Sequence, residues 1–263
     1  MGHLRGPALR AILFDAGNTL VRMNYSAIAG QLAVLGHAVT PAAVQHAEWR
    51  ARVRFDEGVL AHPGTSTESS DARAAYLRLL LHELGIGDLP TARAMAAWRQ
   101  TYNAPVGLFN VADPQGPAAL ALSRDAGLRV GVISNSNGTA RALLDTLGLG
   151  RHLDFVIDSF EVGVEKPDAR IFALALEQAG VEPSEAVYVG DLYSVDVLGA
   201  RAAGLEGILL DPGGHWGQRD CPCVPDPLAA VKLALAGFLN SLRRSRHAAG
   251  GGGFDYSGSE TSG

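Results

Sequence analysis

The stretch Ile12-Leu13-Phe14-Asp15-Ala16-Gly17-Asn18-Thr19-Leu20 decides the fold. An apolar run without alternation fits a strand buried on both faces, and such strands belong to parallel sheets covered by helices. The run stops at one carboxylate, Asp15, and passes at once into Ala-Gly-Asn-Thr, a turn composition. In open α/β sheets ligands bind outside the carboxyl ends of the strands. Asp15 is therefore either a group facing a ligand or a cap for the next element, and this stretch alone leaves both open.

Outward from it, the first strand spans 9–14, and further apolar segments of strand length lie at 129–133, 154–157, 186–189 and 207–210. Helical stretches separate the last four. Strands alternating with helices of about ten to fifteen residues predict a doubly wound parallel α/β sheet. Between the first strand and the second the alternation pauses. Residues 24–103 read as helices and loops with no strand. Thr40 before Pro41 is an N-cap with proline at the first helical position, and Val44, Ala47, Ala51 and Phe55 then fall on one helical face. Helices at 72–84 and 91–101 follow. The expected organisation is a core made of 8–23 and 104–245, a helical insertion at 24–103, and a disordered Gly/Ser-rich tail at 246–263.

Composition narrows the function. Of 263 residues, 47% are hydrophobic and 19% charged, the balance of a soluble globular protein. A formal charge of -5 with no Lys/Arg stripe argues against nucleic acid. No window holds 18 uninterrupted apolar residues and no apolar signal core precedes the first strand, so no membrane partner and a cytoplasmic location are expected. Cys221 and Cys223 are too few for a disulfide framework, and with His215 they lack the paired spacing of a metal site. They read as ordinary thiols on a connecting loop.

Four strand ends, or the loops just after them, carry a polar group: Asp15, Ser134, Lys166 and Asp191. A parallel sheet gathers such ends at one edge. Together they form a chemical set: a carboxylate nucleophile, a hydroxyl for a substrate oxygen, an ammonium for developing anionic charge, and a second carboxylate that can share a hard cation with Asp15. Each taken alone also reads as an ordinary turn, cap or solvated loop residue.

Quoted in order, Phe14-Asp15-Ala16-Gly17-Asn18-Thr19-Leu20, Val132-Ile133-Ser134-Asn135, Glu165-Lys166-Pro167-Asp168 and Gly190-Asp191-Leu192-Tyr193-Ser194-Val195-Asp196 resemble the four motifs of the haloacid dehalogenase superfamily. The resemblance covers about residues 9 to 211, with the helical insertion in the position of that family's cap. It implies that Asp15 is a nucleophile forming a covalent aspartyl intermediate, that Lys166 stabilises it, and that Ser134, with Asn135 beside it, binds a phosphoryl oxygen. Thr19 matches the residue supporting the loop, and it is grouped with Asn135 and Gly17 as substrate-binding. Asp15, the backbone carbonyl of Gly17, Asp191 and Asp196 match the Mg2+ site, with Asp196 either a ligand or an outer support. The implied substrate is a small phosphate ester.

The departure is Gly17. Phosphatases of this family usually carry a second Asp two residues after the nucleophile, which protonates the leaving group. Positioned acid/base catalysis contributes about 100- to 10,000-fold, and an amide at Asn18 cannot replace it. A 2-haloacid dehalogenase, whose halide departs without a proton, is therefore an alternative, as is a catalytically weak binding or regulatory protein. The phosphonate-cleaving branch needs a cap lysine, whereas the chain holds only Lys166 and Lys232. Within the insertion, Tyr25, Trp49, Arg52, Arg54 and Trp98 are the residues expected to be available for substrate contact.

Overall fold

A computed structural model describes residues 8–60, 62, 65–102 and 107–248. Its centre is β1 (Ala11–Phe14), all four residues of which are buried. Ile12 and Phe14 join the apolar cluster on one face of the sheet, whereas Ala11 and Leu13 join the cluster on the other. That division is why the run in sequence does not alternate.

From β1 the chain forms β2 (Val21–Met23), then helices α1 (Tyr25–Val34), α2 (Pro41–Phe55), α3 (Ser70–Glu83) and α4 (Leu89–Tyr102), then β3 (Phe109–Ala112). It continues through α5 (Gly116–Asp125), β4 (Arg129–Ser134), α6 (Ala140–Thr146), β5 (Phe155–Asp158), α7 (Ser159–Val162), α8 (Ala169–Ala179), β6 (Ala186–Gly190), α9 (Leu198–Ala202), β7 (Glu206–Leu210), β8 (Cys223–Val224) and α10 (Pro227–Ala248). The main sheet has the order β5-β4-β1-β6-β7-β8, and every pairing in it is parallel. The chain works outward from β1 on one side and then crosses to the other, so β1 lies at the switch in strand order where ligand crevices form.

The five expected strands are all present. Three elements depart from expectation. β2 and β3 pair as an antiparallel ribbon at the entry and exit of the helical block; both are too short to write a strand pattern, and β3 is also partly exposed. β8 adds a sixth parallel strand containing Cys223, so that cysteine is not on a plain loop, though both thiols are free. The final helix extends to Ala248, past the expected start of the disordered tail at 246; polar Arg and His residues there do not oppose helix formation. The rest of the expected tail, 249–263, lies outside the described residues. Among the described residues no helix is long and apolar enough to cross a membrane.

The four helices of the block surround their own apolar cluster, with Val44, Ala47, Ala51 and Phe55 of α2 buried in it as the spacing predicts. Thr40 caps α2 through its side chain to the Ala43 N–H, and Pro41 occupies the first turn. Val195, from the loop after β6, belongs to the same cluster and ties block to sheet. A second tie is polar: Asp56, buried just after α2, accepts hydrogen bonds from the Ser194 N–H at 3.0 Å and the Ser194 hydroxyl at 2.7 Å.

Burial pushes the Asp56 carboxyl up to about 6, against the pull of the Ser194 hydrogen bonds and of Arg219, with the Asp196 charge adding to the rise. A carboxyl raised in the folded state contributes stability that is fully present below about pH 4 and lost as pH rises through about 6. Asp56→Asn keeps an oxygen for Ser194 and does not titrate. Its stability relative to the parent chain should rise by up to about 3 kcal/mol between pH 4 and pH 7, at about 1.4 kcal/mol per unit. Urea unfolding across that range checks it; a difference that stays flat with pH rejects the buried-carboxyl account.

Candidate active site

The sheet register sets the site. Phe14 pairs with Val132 on one side and Val189 on the other. Asp15 thus emerges level with the ends of β4 and β6, where Ser134 and Asp191 follow. After Asp15 the chain turns tightly, with the Leu20 and Val21 N–H groups donating to the Ala16 carbonyl. Asn18 sits in this turn at a φ of 53°, the left-handed region that asparagine tolerates better than most residues.

Lys166 is the hub. Its ammonium is 2.6 Å from Asp15 Oδ1, 2.8 Å from Asp196 Oδ1 and 2.9 Å from the Tyr188 hydroxyl. The lysine is buried, and the two carboxylates outweigh the desolvation and hold its pKa above the ordinary range. Burial pushes the Asp15 carboxyl up to about 6 even with Lys166 pulling it down, the Asp196 charge adding to the rise.

Asp196 uses both its oxygens. Oδ1 takes Lys166 and Tyr188, and Oδ2 accepts the N–H groups of Asp191 at 3.0 Å and Leu192 at 2.9 Å. Its carboxyl comes so close to the chain that a Cβ on Gly190 would lie 2.3 Å from it, which is why glycine ends β6. Of the two expected roles for Asp196, this bonding favours outer support.

Of the other two expected substrate-binding residues, Asn135 lines the cavity and Thr19 does not. The Asn135 amide accepts from the Lys166 N–H at 2.8 Å, donates to the Lys166 carbonyl at 2.9 Å and donates to Thr67 Oγ1 at 3.0 Å. It fastens the lysine loop to the end of β4, and its polar atoms are committed to that. Thr19 is fully buried, away from the cavity, with no partner for its hydroxyl. Ser134, by contrast, lines the cavity with its hydroxyl only loosely engaged, 3.5 Å from the Asn135 carbonyl.

The cavity has a volume of about 270 Å³. Asp15, Gly17, Ser134, Lys166, Asp191 and Asp196 all line it. So do Phe55, Arg73, Tyr76 and Arg99 from the helical block and Phe109 from β3. None of the five block residues expected to be available for substrate lines it. Arg54 pairs with Glu83 at 2.8 Å, Trp98 packs on Tyr102, Trp49 on His46, and Tyr25 donates to Glu48. Arg52 is buried in a pair with Glu48 at 2.8 Å, and its Nε lies 3.3 Å from Asp191 Oδ2. Tyr76 joins this group, donating to Glu48 and accepting from Asn18 Nδ2.

Asp15, Asp191 and Asp196 offer carboxylate oxygens within 4.8 Å of one another, the one such cluster of three or more His, Cys, Asp or Glu among the described residues. Burial raises the Asp191 carboxyl well above its ordinary range, with Arg52 opposing and the neighbouring acids adding. Lys166 answers one of the three charges, and Arg52 is already matched by Glu48. An all-oxygen donor set with excess negative charge suits a hard divalent cation.

A family model described as haloacid dehalogenase-like hydrolase matches residues 9–204. The chain belongs to this hydrolase family. Haloacid dehalogenase-like hydrolase domain-containing protein 3 of Homo sapiens is 31% identical over 77% of this chain and 82% of its own length. The protein of that name from Mus musculus is 37% identical, over 53% of this chain and 56% of its own length, so the match spans only about half of that relative. A ribulose-1,5-bisphosphate 5-phosphatase of Halopiger xanaduensis is 31% identical over 77% of this chain and 84% of its own. Among solved structures, a phosphatase of the family from Thermococcus onnurineus covers 86% of this chain and 97% of its own, at 22% identity and a TM-score of 0.52. A 2-haloacid dehalogenase from Pseudomonas syringae covers 88% and 99%, at 24% identity and a TM-score of 0.51. The family's fold is thus shared equally by enzymes of two chemistries, and the reaction must be argued from the site.

Proposed function

We propose that the chain is a Mg2+-dependent hydrolase of a small phosphate monoester, acting through an aspartyl phosphate on Asp15, with residues 24–103 as the cap over the site. The observation that carries this is the cluster of Asp15, Asp191 and Asp196 beside Lys166 on the floor of one cavity. Asp15 and Asp191, with the Gly17 carbonyl, would hold the ion, which supplies charge neutralisation at the phosphoryl oxygens when bound.

The residues act in sequence. Lys166 holds Asp15 Oδ1, leaving Oδ2 to attack phosphorus, and the Ser134 hydroxyl donates to a phosphoryl oxygen. The P–O ester bond breaks and the leaving oxygen takes a proton from solvent or from the substrate, because Gly17 has none to give. Water then attacks phosphorus, releases inorganic phosphate and restores the Asp15 carboxylate. Relatives whose names include a sugar-bisphosphate phosphatase support a phosphorylated substrate.

Phosphate release from small phosphoesters should fall at least about tenfold when EDTA replaces Mg2+, the loss of a strong charge stabiliser. Activity indifferent to EDTA sinks the proposal. The second reading, carbon attack on a 2-haloacid, is favoured by one feature, the missing acid at Gly17. Halide release from a 2-haloacid without Mg2+ would put it first.

A further inference from the structure

The wall of the cavity formed by α3 and α4 is unlike the floor. Arg73 and Arg99, from these two helices, line the same space as Asp15, Ser134 and Lys166. Arg99 donates to the backbone carbonyl of Arg73 at 2.8 Å, which fixes its guanidinium against the helix that carries Arg73. Among the described residues Arg99 forms no ion pair, and its buried Nε has no hydrogen-bond partner. Glu68, which also lines the cavity, pairs with Arg73 at 3.4 Å and is near enough to Arg99 to act on its charge. Burial first, and then the neighbouring Arg73 charge, lower the pKa of Arg99. Burial likewise raises that of Glu68, with Glu165 and Asp158 adding to the rise, which weakens the acid that faces the two arginines. Two cations share a half-answered charge at the edge of a cavity with a separate phosphoryl-binding floor.

We infer that Arg73 and Arg99 form a second anion subsite, and that the substrate carries an oxyanion group, carboxylate or phosphate, at the end remote from the transferred phosphoryl. This rests on the phosphohydrolase reading given above. Guanidinium groups suit both oxyanions through paired N–H donors. The cavity of about 270 Å³ limits the pair of anions to a short carbon frame.

The test compares three phosphate monoesters with Mg2+: glycerol 3-phosphate, which ends in neutral hydroxyls, 3-phosphoglycerate, which ends in a carboxylate, and 1,3-propanediol bisphosphate. The parent chain should favour one or both of the frames that carry two anionic groups over glycerol 3-phosphate by about tenfold or more in kcat/KM, the scale of a charge-assisted hydrogen bond. Which of the two leads distinguishes carboxylate from phosphate. Arg99→Met and the more exposed Arg73→Met should each shrink that ratio towards one, mainly through KM, and Arg99→Lys should keep part of it. Equal rates on all three esters, or a ratio unchanged in both Met variants, overturn the subsite and leave the hydrolase reading standing. If none is cleaved, calorimetry decides. Binding of 3-phosphoglycerate weakened by Arg73→Met supports the subsite without the reaction, and no binding rejects it.

Discussion

Asp15→Asn should reduce phosphate release to the solvent background, a loss of at least about 10,000-fold, the scale on which removing a nucleophile acts. An amide oxygen is too poor a nucleophile to form the aspartyl phosphate. The variant should also stay folded. Lys166 keeps Asp196 at 2.8 Å and the Tyr188 hydroxyl at 2.9 Å, so its buried ammonium is not left alone. The same change removes a carboxyl whose burial pushes it up to about 6, a charge that disfavours the folded state above that pH. Phosphate assays alongside thermal melts separate the two effects. Activity that survives in a folded Asp15→Asn protein rules out covalent catalysis at this residue.

Gly17→Asp should raise turnover of esters with poor leaving groups, such as simple alkyl phosphates, by about 100- to 10,000-fold, the usual contribution of a positioned acid. The gain should be far smaller for p-nitrophenyl phosphate, whose leaving oxygen needs no proton. The structure has room for the change. A Cβ at position 17 meets the Phe109 ring at 3.7 Å and Asp15 Oδ2 at 4.0 Å, ordinary contact distances. Phe109 flanks the space a carboxylate would enter, so it must yield slightly for the new side chain to reach the leaving oxygen. Leaving-group dependence across a series of aryl and alkyl phosphates reads the effect. No gain on any ester means either that the cavity supplies a proton elsewhere or that the reaction does not expel an alkoxide. If the parent chain is inert and the variant active, the chain is better viewed as a repurposed member of the family that retains an anion site.

The core was legible because strands buried on both faces leave a dense apolar run that ends abruptly. Ile12 to Phe14 and Ala186 to Val189 write that pattern within a few residues, and so the sequence places Asp15 and Asp191 at strand ends. Tyr188 was missed, although a hydroxyl in an apolar strand two residues before Gly190 was a usable signal. The β2–β3 ribbon was not legible. Its strands are of three and four residues and paired across the whole helical block, and nothing local marks such a partner.

The block shows the same division. Its helix faces were readable, since Val44, Ala47, Ala51 and Phe55 follow the helical period. Which of its polar residues meet the site was not. Arg52 and Glu48 also lie on α2, yet they are buried as a pair against Asp191, whereas Arg73 and Arg99 reach the cavity. Helical period assigns a residue to a side of its own helix. It does not say how two helices cross or which side roofs another element, because crossing geometry depends on side chains distant in sequence.

By itself, then, the sequence determined the parallel sheet, the placing of Asp15, Lys166 and Asp191 at its edge, and the absence of a carboxylate at position 17. Each is a local fact of composition at a strand end. Only the tertiary structure decided that Asp196 is bonded through both its oxygens while lining the cavity, that Asn135 holds the lysine loop, and that two arginines line the same space. Those assignments depend on where side-chain atoms far apart in the chain meet, and packing alone sets that.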